Sequence, residues 1–357
     1  MINPAEFREV VSGRRQGLRA ALLRILLRCL EAPYALLVAL RNIGYDSGLF
    51  KSESVDTPVI SVGNLTLGGT GKTPLVQWLA RWFQDRSSRV ALVSRGYKAT
   101  PGSPNDEARE LAEKLVRIPH IQDPNRVQAA REAICVHQAQ VILLDDGFQH
   151  RKLDRDFDIV LIDALEPYGF DHIFPRGMLR ESLKSLCRAD AIGLSRSDAV
   201  TAHQRKTIRH RIQALAPHAA WFETVHQPYQ LLRHQKPANN LTWLRNRSVA
   251  AFCGLGNPSG FHHTLTTCGC HIAAFRALPD HYAYTQPELQ SLDTWLAHEP
   301  PIDAVVCTCK DLVKIGRSEL AGIPLYALDI GMQFVYGQSD LEARLQPLLS
   351  SLHTAAA

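Results

Sequence analysis

Short apolar runs alternate with helix-like stretches along the first part of the chain. Each run is rich in β-branched and aliphatic residues and has the length of a strand that is buried on both faces. The stretches between the runs are helical in character. This alternation predicts an α/β fold in which helices cover both faces of a parallel sheet. The predicted strands are Pro58–Gly63, Arg89–Ser94, Val141–Asp145, Phe157–Asp163 and Ala191–Ser195.

A second, smaller α/β pattern follows a polar stretch. That stretch contains Pro228, Pro237 and two adjacent asparagines, a composition that favours a linker. Beyond it, a strand-like run again enters a glycine turn, and further apolar runs and a closing helix follow. A chain of 357 residues favours two domains. The predicted organisation is an N-terminal helical region over 1–50, a main α/β domain over 51–226, a linker over 227–247 and a smaller α/β domain over 248–357.

The N-terminal region contains an apolar segment, Gly17–Leu40, that charged residues interrupt. Arg24, Arg28 and Glu31 break it, so no uncharged run reaches the roughly 18 to 20 residues that span a bilayer. The apolar residues do not collect cleanly on one helical face. Two interpretations stay open. The segment is either a first helix packed on the main domain or a basic, leucine-rich helix that lies in the membrane interface.

Composition narrows the class of partner only slightly. A net charge of +5 allows an anionic partner without requiring one. The basic residues are dispersed and no aromatic platform accompanies them, so we expect no nucleic-acid partner. The eight cysteines form no regular framework and no secretory signal precedes them, which favours reduced thiols in the cytoplasm. Two Cys-x-Cys pairs lie in strand-like stretches, where small buried thiols are commoner than zinc ligands.

The first predicted strand leads into a glycine-rich turn and then a helix. The turn reads Gly63-Asn-Leu-Thr-Leu-Gly-Gly-Thr-Gly-Lys-Thr73. Glycines let backbone N–H groups approach a triphosphate, Lys72 supplies a cation, and the Thr73 hydroxyl binds magnesium in such loops. Thr66 stands where the strict pattern has glycine, but the strand–loop–helix context supports the interpretation. We predict a P-loop nucleotide site formed by Gly68, Gly69, Thr70, Gly71, Lys72 and Thr73.

Two adjacent acids, Asp145 and Asp146, end the third predicted strand. P-loop proteins hold magnesium with carboxylates at this place, although adjacent acids at a strand end are also found in solvated turns. Asp163 ends a further strand and is interpreted as a supporting acid. We predict a Mg²⁺ site formed by Thr73, Asp145 and Asp146.

Phosphoryl transfer to an alcohol also requires a base for the hydroxyl proton and cations for the transferring phosphate. Candidate bases lie in Asn105-Asp-Glu107 and in Pro279-Asp-His-Tyr282. Candidate cations are Arg126 and the arginines of Arg176–Glu181. Each of these residues is of a type that is more often a surface charge or a helix cap than a catalyst. Spacing alone therefore does not rank them.

A set of ordered motifs extends from about Tyr34 to Leu349. In this order and combination the motifs resemble the tetraacyldisaccharide 4′-kinase family, the lipid A 4′-kinases of Gram-negative-type bacteria. That family's loop also lacks the first glycine of the strict pattern. The motifs are Arg41-Asn-Ile-Gly-Tyr-Asp, Pro58 to Pro74, Ser94-Arg-Gly-Tyr-Lys, Asp145-Asp-Gly-Phe-Gln-His-Arg-Lys-Leu, Pro175-Arg-Gly-Met-Leu-Arg-Glu, Ala189-Asp-Ala, Phe252-Cys-Gly-Leu-Gly-Asn-Pro, Pro279-Asp-His-Tyr and Lys310-Asp-Leu-Val-Lys.

The resemblance implies an activity and roles for individual residues. The expected reaction transfers the γ-phosphate of ATP, with Mg²⁺, to the 4′-hydroxyl of a tetraacylated glucosamine disaccharide 1-phosphate in lipid A biosynthesis. Asp106 matches the family's catalytic aspartate, which accepts the hydroxyl proton, and His281 matches the histidine that orients it. Arg180 falls in the active-site arginine motif. Gln149 is assigned to the nucleotide site, in the motif whose two acids match the family's magnesium-associated pair.

The chain departs from the family pattern at two places. It reads Asn105-Asp-Glu-Ala108 where Gly-Asp-Glu-Pro is usual, so the carboxylates remain but the turn that aims Asp106 differs. It reads Cys307-Thr-Cys309 where the family has a threonine-rich turn.

The resemblance also implies where the protein acts. The family docks on the membrane through its N-terminal helix, which favours the interfacial interpretation of Gly17–Leu40. We therefore expect a monomeric, peripheral protein on the cytoplasmic face of the inner membrane, whose partner is a lipid A disaccharide precursor.

Two other classes of protein remain as alternatives. A regulatory P-loop ATPase of the partitioning type carries an additional lysine at the start of the loop core, where this chain has Leu67. A regulatory GTPase needs an Asn-Lys-x-Asp motif, which this sequence lacks. A peripheral membrane-binding protein with a vestigial loop is disfavoured by the intact Lys72, Thr73 and Asp146.

Overall fold

The computed structural model describes residues 4–96, 111, 115, 117–279 and 282–354. The chain divides into two compact units, which are described separately below. The first unit comprises Met1–Val225 and Phe334–Ala357, and the second comprises His226–Gln333.

Helices and strands are numbered in chain order over the described residues. The helices are α1 (Pro4–Val11), α2 (Leu18–Asp46), α3 (Lys72–Gln84), α4 (Arg126–Cys135), α5 (Ala202–Gln213), α6 (Pro258–Thr266), α7 (Gln286–Ala297), α8 (Cys309–Ile315) and α9 (Gln338–Thr354). The strands are β1 (Val59–Asn64), β2 (Val90–Ser94), β3 (His120–Gln122), β4 (Val141–Asp145), β5 (Phe157–Asp163), β6 (Ala191–Ser195), β7 (Ala220–Arg233), β8 (Lys236–Asn240), β9 (Ser248–Cys253), β10 (His271–Ala277), β11 (Ala304–Thr308), β12 (Glu319–Leu320) and β13 (Ile323–Tyr336).

A parallel sheet forms the core of the first unit. Its strand order is β6-β5-β1-β4-β2-β3, and strands β1, β4, β5 and β6 are buried along their whole length. Continuous burial of aliphatic strands is the pattern of a parallel sheet covered on both faces. All the predicted strands of the main domain are present, and the predicted α/β fold is confirmed.

The order of the strands determines which loops meet. β1 lies between β4 and β5, and β5 also pairs with β6. Because these strands are parallel, their carboxyl ends lie at one edge of the sheet. The glycine-rich loop after β1, the acids at the end of β4 and the residues that follow β5 and β6 therefore come together at that edge.

The predicted linker is a β-hairpin rather than a free connection. β7 extends to Arg233 and pairs in antiparallel register with β8, so that Gln230 lies opposite Asn240. The turn between them contains Gln235 in the left-handed conformation, with φ 49°. β8 pairs with β7 alone, and an edge strand accommodates the missing N–H of Pro237 without losing a ladder bond.

The compact units also divide the chain at other residues than the predicted domains. The predicted closing helix is present as α9, but it belongs to the first unit rather than to the smaller one. In the first unit, Phe334 packs against the rings of Trp78 and Phe222, at centroid distances of 4.7 and 5.5 Å. This aromatic packing explains why the last part of the chain joins that unit.

The second unit has its own parallel sheet, in the order β10-β9-β11-β13. The hairpin strand β12 adds to β13 in antiparallel register. Two clusters of buried apolar residues involve opposite sets of side chains on these strands, one including Phe252 and Leu325, the other including Val249 and Tyr326. The smaller unit is thus an α/β body with a hydrophobic core of its own.

Helix α2 differs from the other helices because much of its apolar surface is exposed. It contains 29 residues, of which Ala20, Leu27, Glu31 and Gly44 are buried. Its exposed apolar side chains are Leu18, Leu22, Ile25, Leu26, Leu30, Leu36, Leu37, Leu40 and Ile43. In the described part of the chain, no helix combines the length and the apolar character needed to cross a membrane.

Candidate active site

The loop after β1 leads into α3, a helix whose N-terminus has no side-chain cap. Gly71 is the residue before α3 and is left-handed, with φ 86°, and no side chain caps the helix there. Gly68 is also left-handed, with φ 122°, a conformation that favours glycine. The first N–H groups of a helix have no partner within the helix and carry its positive end. This end of α3 is therefore a preformed site for an anion.

Lys72, the first residue of α3, contacts residues on both sides of this loop. Its Nζ is 3.2 Å from Oδ1 of Asn64 and 3.2 Å from Oδ1 of Asp146. Thr70 is buried, and its Oγ1 has no hydrogen-bond partner among the described residues. A β-carbon added at Gly69 would meet no atom within 4 Å. The loop thus presents a cation, an unsatisfied hydroxyl and open space next to its backbone.

Asp146 faces two cations at once. Arg180 donates from Nη1 to both carboxylate oxygens of Asp146, at 2.9 and 2.8 Å, and Lys72 completes the cluster. Burial alone would raise the pKa of the Asp146 carboxyl, but the charges of Lys72 and Arg180 outweigh burial and hold that pKa well below its usual range. Asp145, the preceding residue, ends β4 and is buried. One carboxylate and two cations therefore meet beside the loop, with Asp145 adjacent in the chain, and the Mg²⁺ site stays a prediction.

Gln149 supports this cluster through its amide. Its Nε2 donates to the carbonyl of Asn64 at 2.9 Å and to Glu181 at 3.0 Å, and its Oε1 accepts from Arg180 at 3.3 Å. Its backbone carbonyl accepts from Arg41. The structure thus uses the side chain of Gln149 to connect the loop to Arg180, and its assignment to the nucleotide site stays a prediction.

Glu181 is a buried acid that the sequence did not single out as functional. It accepts hydrogen bonds from Asn42 at 2.9 Å, from Gln149 at 3.0 Å and from Arg188 at 3.0 and 3.1 Å. Asn42 belongs to α2, so Glu181, the residue after Arg180, connects the exposed apolar helix to Gln149 and Arg188. The only sequence signal for Glu181 was its place in the motif that contains Arg180.

The structure separates the candidate cations. Arg180 contacts Asp146 directly, and the buried Arg126 lies close enough to Asp145 and Asp146 for their charges to act on it. Burial lowers the pKa of the Arg126 guanidinium, and the two carboxylates oppose that shift. Arg176 instead donates to the carbonyl of Val11 at 3.0 Å, at the end of α1. Arg180 therefore contacts the acid cluster, Arg126 lies near it and Arg176 contacts the end of α1, and a role of these cations in phosphoryl transfer stays a prediction.

Two residues beneath the loop were missed as functional residues. Asn64 is fully buried and donates from Nδ2 to the carbonyls of Thr66 and Gly68, at 2.8 and 3.2 Å. Arg196 follows β6, is buried, and donates to the carbonyl of Gly69 at 3.2 Å. Both residues stand at carboxyl ends of strands that flank the site. That position is a signal in the sequence, but nothing in the pattern shows that their partners are loop carbonyls.

Asp106 and His281, the predicted base and its partner, lie outside the described residues, so their roles stay predictions. Pro279 and Tyr282, which lie on either side of Asp280 and His281 in the sequence, are described in the second unit. Tyr282 donates its N–H to the carbonyl of Pro279 at 3.1 Å, and its own carbonyl accepts from Lys314 at 3.3 Å.

A buried carboxylate packs beside these flanking residues. Asp311 accepts hydrogen bonds from the Tyr284 hydroxyl at 2.8 Å, the Thr308 hydroxyl at 2.7 Å and the N–H of Gly254 at 3.2 Å. A β-carbon at Gly254 would lie 3.1 Å from Asp311 and 3.2 Å from the Tyr282 side chain. Three sequence motifs of the second unit therefore meet in one tightly packed network.

These motifs were compared, together with the rest of the chain, with models of known protein families. The family model described as tetraacyldisaccharide-1-P 4′-kinase matches residues 23–350. The chain belongs to this family. The match includes the glycine-rich loop, the paired acids and the arginine motif of the first unit, and it extends through the second unit.

Tetraacyldisaccharide 4′-kinases of several bacteria are similar to this chain over most of their length. That of Anaeromyxobacter sp. (strain K) is 35% identical over 356 residues, which cover 94% of each chain. That of Halothermothrix orenii is 35% identical over 340 residues, covering 85% of this chain and 88% of the relative. The crystal structure of LpxK from Aquifex aeolicus in complex with ATP superposes with a TM-score of 0.67 at 29% identity, covering 92% of this chain and 99% of that chain. The predicted family, P-loop type of fold and kinase class are confirmed.

Proposed function

We propose that this chain transfers the γ-phosphate of ATP to the 4′-hydroxyl of a tetraacylated glucosamine disaccharide 1-phosphate, a precursor of lipid A. The observation that carries the proposal is the cluster of Lys72, Asp146 and Arg180 beside an uncapped helix N-terminus. Phosphoryl transfer depends on positioning and on cations that stabilise charge on the phosphate oxygens. This cluster supplies both at one edge of the sheet.

The residues of the loop fit a nucleotide and its magnesium. The free N–H groups of α3, the open space at Gly69 and the unsatisfied Thr70 hydroxyl suit the phosphates of ATP. Thr73, Asp145 and Asp146 would hold Mg²⁺, which prefers oxygen ligands, and the low pKa of Asp146 keeps that ligand ionised. Mg²⁺ held there would neutralise part of the negative charge of the phosphates.

The protein's own groups then divide the work of transfer. Lys72 and Arg180 are placed to balance negative charge on the transferring phosphate, since both already contact a carboxylate at the same place. Asp106 accepts the proton of the acceptor hydroxyl and His281 orients that carboxylate. These last two roles rest on the match of both residues to the family motifs.

The exposed face of α2 supports a site of action at the membrane surface. Arg24 and Arg28 accompany its apolar side chains, so the helix combines the cations and the apolar area that interfacial helices use. The same helix contacts the first unit through its buried stripe, which includes Leu27. The buried stripe fits a helix packed on the main domain, and the exposed apolar face supports our proposal of an interfacial helix. We propose that the protein acts at the cytoplasmic face of the inner membrane.

A cleft at the end of α2 supports an acylated substrate. It has a volume of about 720 Å³, and Leu37, Leu40, Ile43, Leu49 and Phe50 contribute to its lining. Arg41 lies at the same cleft and also donates to the carbonyl of Gln149 in the active-site cluster. An apolar cleft that shares Arg41 with the active-site cluster suits a lipid whose sugar is phosphorylated.

The proposal is tested by label transfer. Purified chain is incubated with Mg²⁺, γ-labelled ATP and tetraacyl disaccharide 1-phosphate in detergent micelles. Three variants are compared: Lys72→Ala, Asp106→Ala and, as a control, Lys206→Ala, whose lysine is exposed on α5. We expect labelled lipid from the unchanged chain and from the control, and a loss of at least about a hundredfold in the other two. ATP hydrolysis that is independent of lipid, with no labelled lipid, would overturn the proposal and favour the regulatory ATPase.

A further inference from the structure

A buried ion pair lies beneath the phosphate-binding loop. Asp163 ends β5 and Arg196 follows β6, and Nη1 of Arg196 is 2.6 Å from Oδ2 of Asp163. Only 6% and 4% of the two side chains are exposed. Arg196 is also left-handed, with φ 52°, a conformation that is costly for a long side chain. Desolvating such a pair costs free energy, and further hydrogen bonds to the two side chains offset that cost.

The other contact of Arg196 is with the loop. Its Nη2 donates to the carbonyl oxygen of Gly69 at 3.2 Å. The side chain of Asn64 holds the preceding carbonyl, that of Gly68, also at 3.2 Å. Two successive carbonyl groups of the glycine-rich loop are therefore held by buried side chains from the body of the unit.

Holding these oxygens also orients the adjacent N–H groups. In a trans peptide the C=O of one residue and the N–H of the next point in opposite directions. With the oxygens of Gly68 and Gly69 held by Asn64 and Arg196, the N–H groups of Gly69 and Thr70 point away from those side chains. Glycine peptides rotate more freely than others, so without such contacts the loop would sample orientations that do not bind an anion.

We propose that Arg196, held in place by Asp163, is a positioning residue for the phosphates of ATP. It acts through the peptide between Gly69 and Thr70 and does not itself touch the nucleotide. The proposal rests on the proposed function only in taking ATP as the ligand. Because the same orientation serves the bound nucleotide before and during transfer, the expected effect is on binding of ATP rather than on the rate of the chemical step.

The chain offers a matched control for this test. Arg155 and Asp158 form a second buried pair in the same unit, at 3.0 Å, with 9% and 8% of their side chains exposed. Arg155 donates to the carbonyls of His150 and Leu153, which are not part of the glycine-rich loop. Replacing Arg155 therefore removes the same kind of charge from the same kind of environment without releasing the loop.

The experiment compares Arg196→Met with Arg155→Met. The Kd for ATP with Mg²⁺ is measured by calorimetry without lipid, and KM for ATP and kcat are measured at saturating lipid. We expect Arg196→Met to raise Kd and KM about tenfold, the effect of one lost charge-assisted hydrogen bond, with kcat changed less than about threefold. Arg155→Met is expected to leave Kd within about twofold of the unchanged chain, although both variants lower the temperature of unfolding.

A second variant covers the case in which Arg196→Met does not fold. Arg196→Lys keeps a positive charge beside Asp163, but a single ammonium group does not reproduce the fork that reaches both Asp163 and Gly69. We expect it to fold and to raise Kd for ATP severalfold. A Kd that is unchanged in Arg196→Lys, or raised equally in Arg155→Met, would overturn the proposal. If the protein without substitutions binds ATP but phosphorylates no lipid, the proposed function is contradicted. The comparison of ATP affinities between the Arg196 and Arg155 variants then remains valid.

Discussion

Asp146 combines an unusual backbone conformation with strong local charge. Its φ is 54°, in the left-handed region that aspartate enters more readily than most residues. Its carboxylate contacts both Lys72 and Arg180. Because these cations outweigh the effect of burial, the site presents an ionised carboxylate at neutral pH, ready to serve as a metal ligand.

The lowered pKa of Asp146 predicts a pH-dependent contribution to stability. An acid whose pKa is lower in the folded state stabilises the fold above its unfolded pKa of about 4, and this contribution is lost as the pH falls towards the folded pKa. We expect Asp146→Asn to lower the free energy of unfolding near pH 7, and the difference from the unchanged chain to shrink below about pH 4. Urea unfolding of both proteins across this range measures it. A difference that grows as the pH falls would show the opposite sign and contradict the ion cluster.

The same substitution is expected to affect different properties at two glycines, one in strand β1 and one in the loop that follows it. A β-carbon at Gly63 would lie 2.5 Å from Cβ and 2.9 Å from the backbone nitrogen of Phe148, whereas one at Gly69 would meet nothing within 4 Å. We expect Gly63→Ala to cost about 1 to 3 kcal/mol of stability through overpacking. We expect Gly69→Ala to leave stability within about 0.5 kcal/mol but to weaken ATP binding, because the methyl group occupies space that a phosphate approaches.

Urea unfolding and ATP calorimetry on the two glycine variants separate these effects. Gly63→Ala shows the loss of stability that overpacking causes, and Gly69→Ala shows the loss of ATP affinity when access to the loop is blocked. Equal losses of stability in both variants would show that the space at Gly69 is not open, and would remove one argument for a phosphate at this loop.

The sequence predicted the residues whose chemistry is visible in their type. Lys72 and Asp146 were singled out from the P-loop pattern and Arg180 from the family resemblance, and the structure brings the three side chains into contact. Asn64 and Arg196 could not be predicted in the same way, because each acts by holding a backbone carbonyl of a neighbouring segment. Such a role depends on how strands align in the sheet, which a local pattern does not contain.

At the scale of the element, helix α2 predicts a measurable membrane affinity. Leu26 and Leu37 are 56% and 68% exposed, so replacing both with glutamate does not disturb the core. We expect the double variant to bind anionic lipid vesicles at least about tenfold more weakly than the unchanged chain, with its unfolding temperature and its Kd for ATP unchanged. Sedimentation with vesicles measures the binding.

A control for this prediction lies on another helix end. Val136, just after α4, is 67% exposed, and Val136→Glu adds one negative charge, against two in the α2 variant, at a similarly exposed apolar position. It is expected to leave vesicle binding unchanged. If Val136→Glu weakens binding as much as the α2 variant, net charge rather than the face of α2 determines membrane affinity.

Elements were predicted well where their apolar pattern is long and regular. The strands of the first sheet are continuous apolar runs, and they are present as predicted. The segment around Pro228 and Pro237 was interpreted as a linker because its composition is typical of one. It forms strands because β7 and β8 pair across a turn at Gln235, and Pro237 lies in the edge strand β8, which accepts a missing N–H.

At the scale of the whole molecule, the two α/β bodies were predictable but their limits were not. Each body has its own alternation of strands and helices, which is a local signal. The return of the chain to the first unit at Phe334 depends on contacts with Trp78 and Phe222, which are distant in sequence. The second unit contributes the network around Asp311, beside the residues that flank His281.

The proposed 4′-kinase activity is tested most directly by locating the transferred phosphate on the lipid. The chain is incubated with ATP, Mg²⁺ and either tetraacyl disaccharide 1-phosphate or its 4′-deoxy analogue, and the lipid products are examined by mass spectrometry and phosphorus NMR. We expect one added phosphate monoester at the 4′ position of the natural acceptor and none on the analogue. A phosphate added to the 4′-deoxy analogue, or ATP hydrolysis with neither lipid modified, would contradict it.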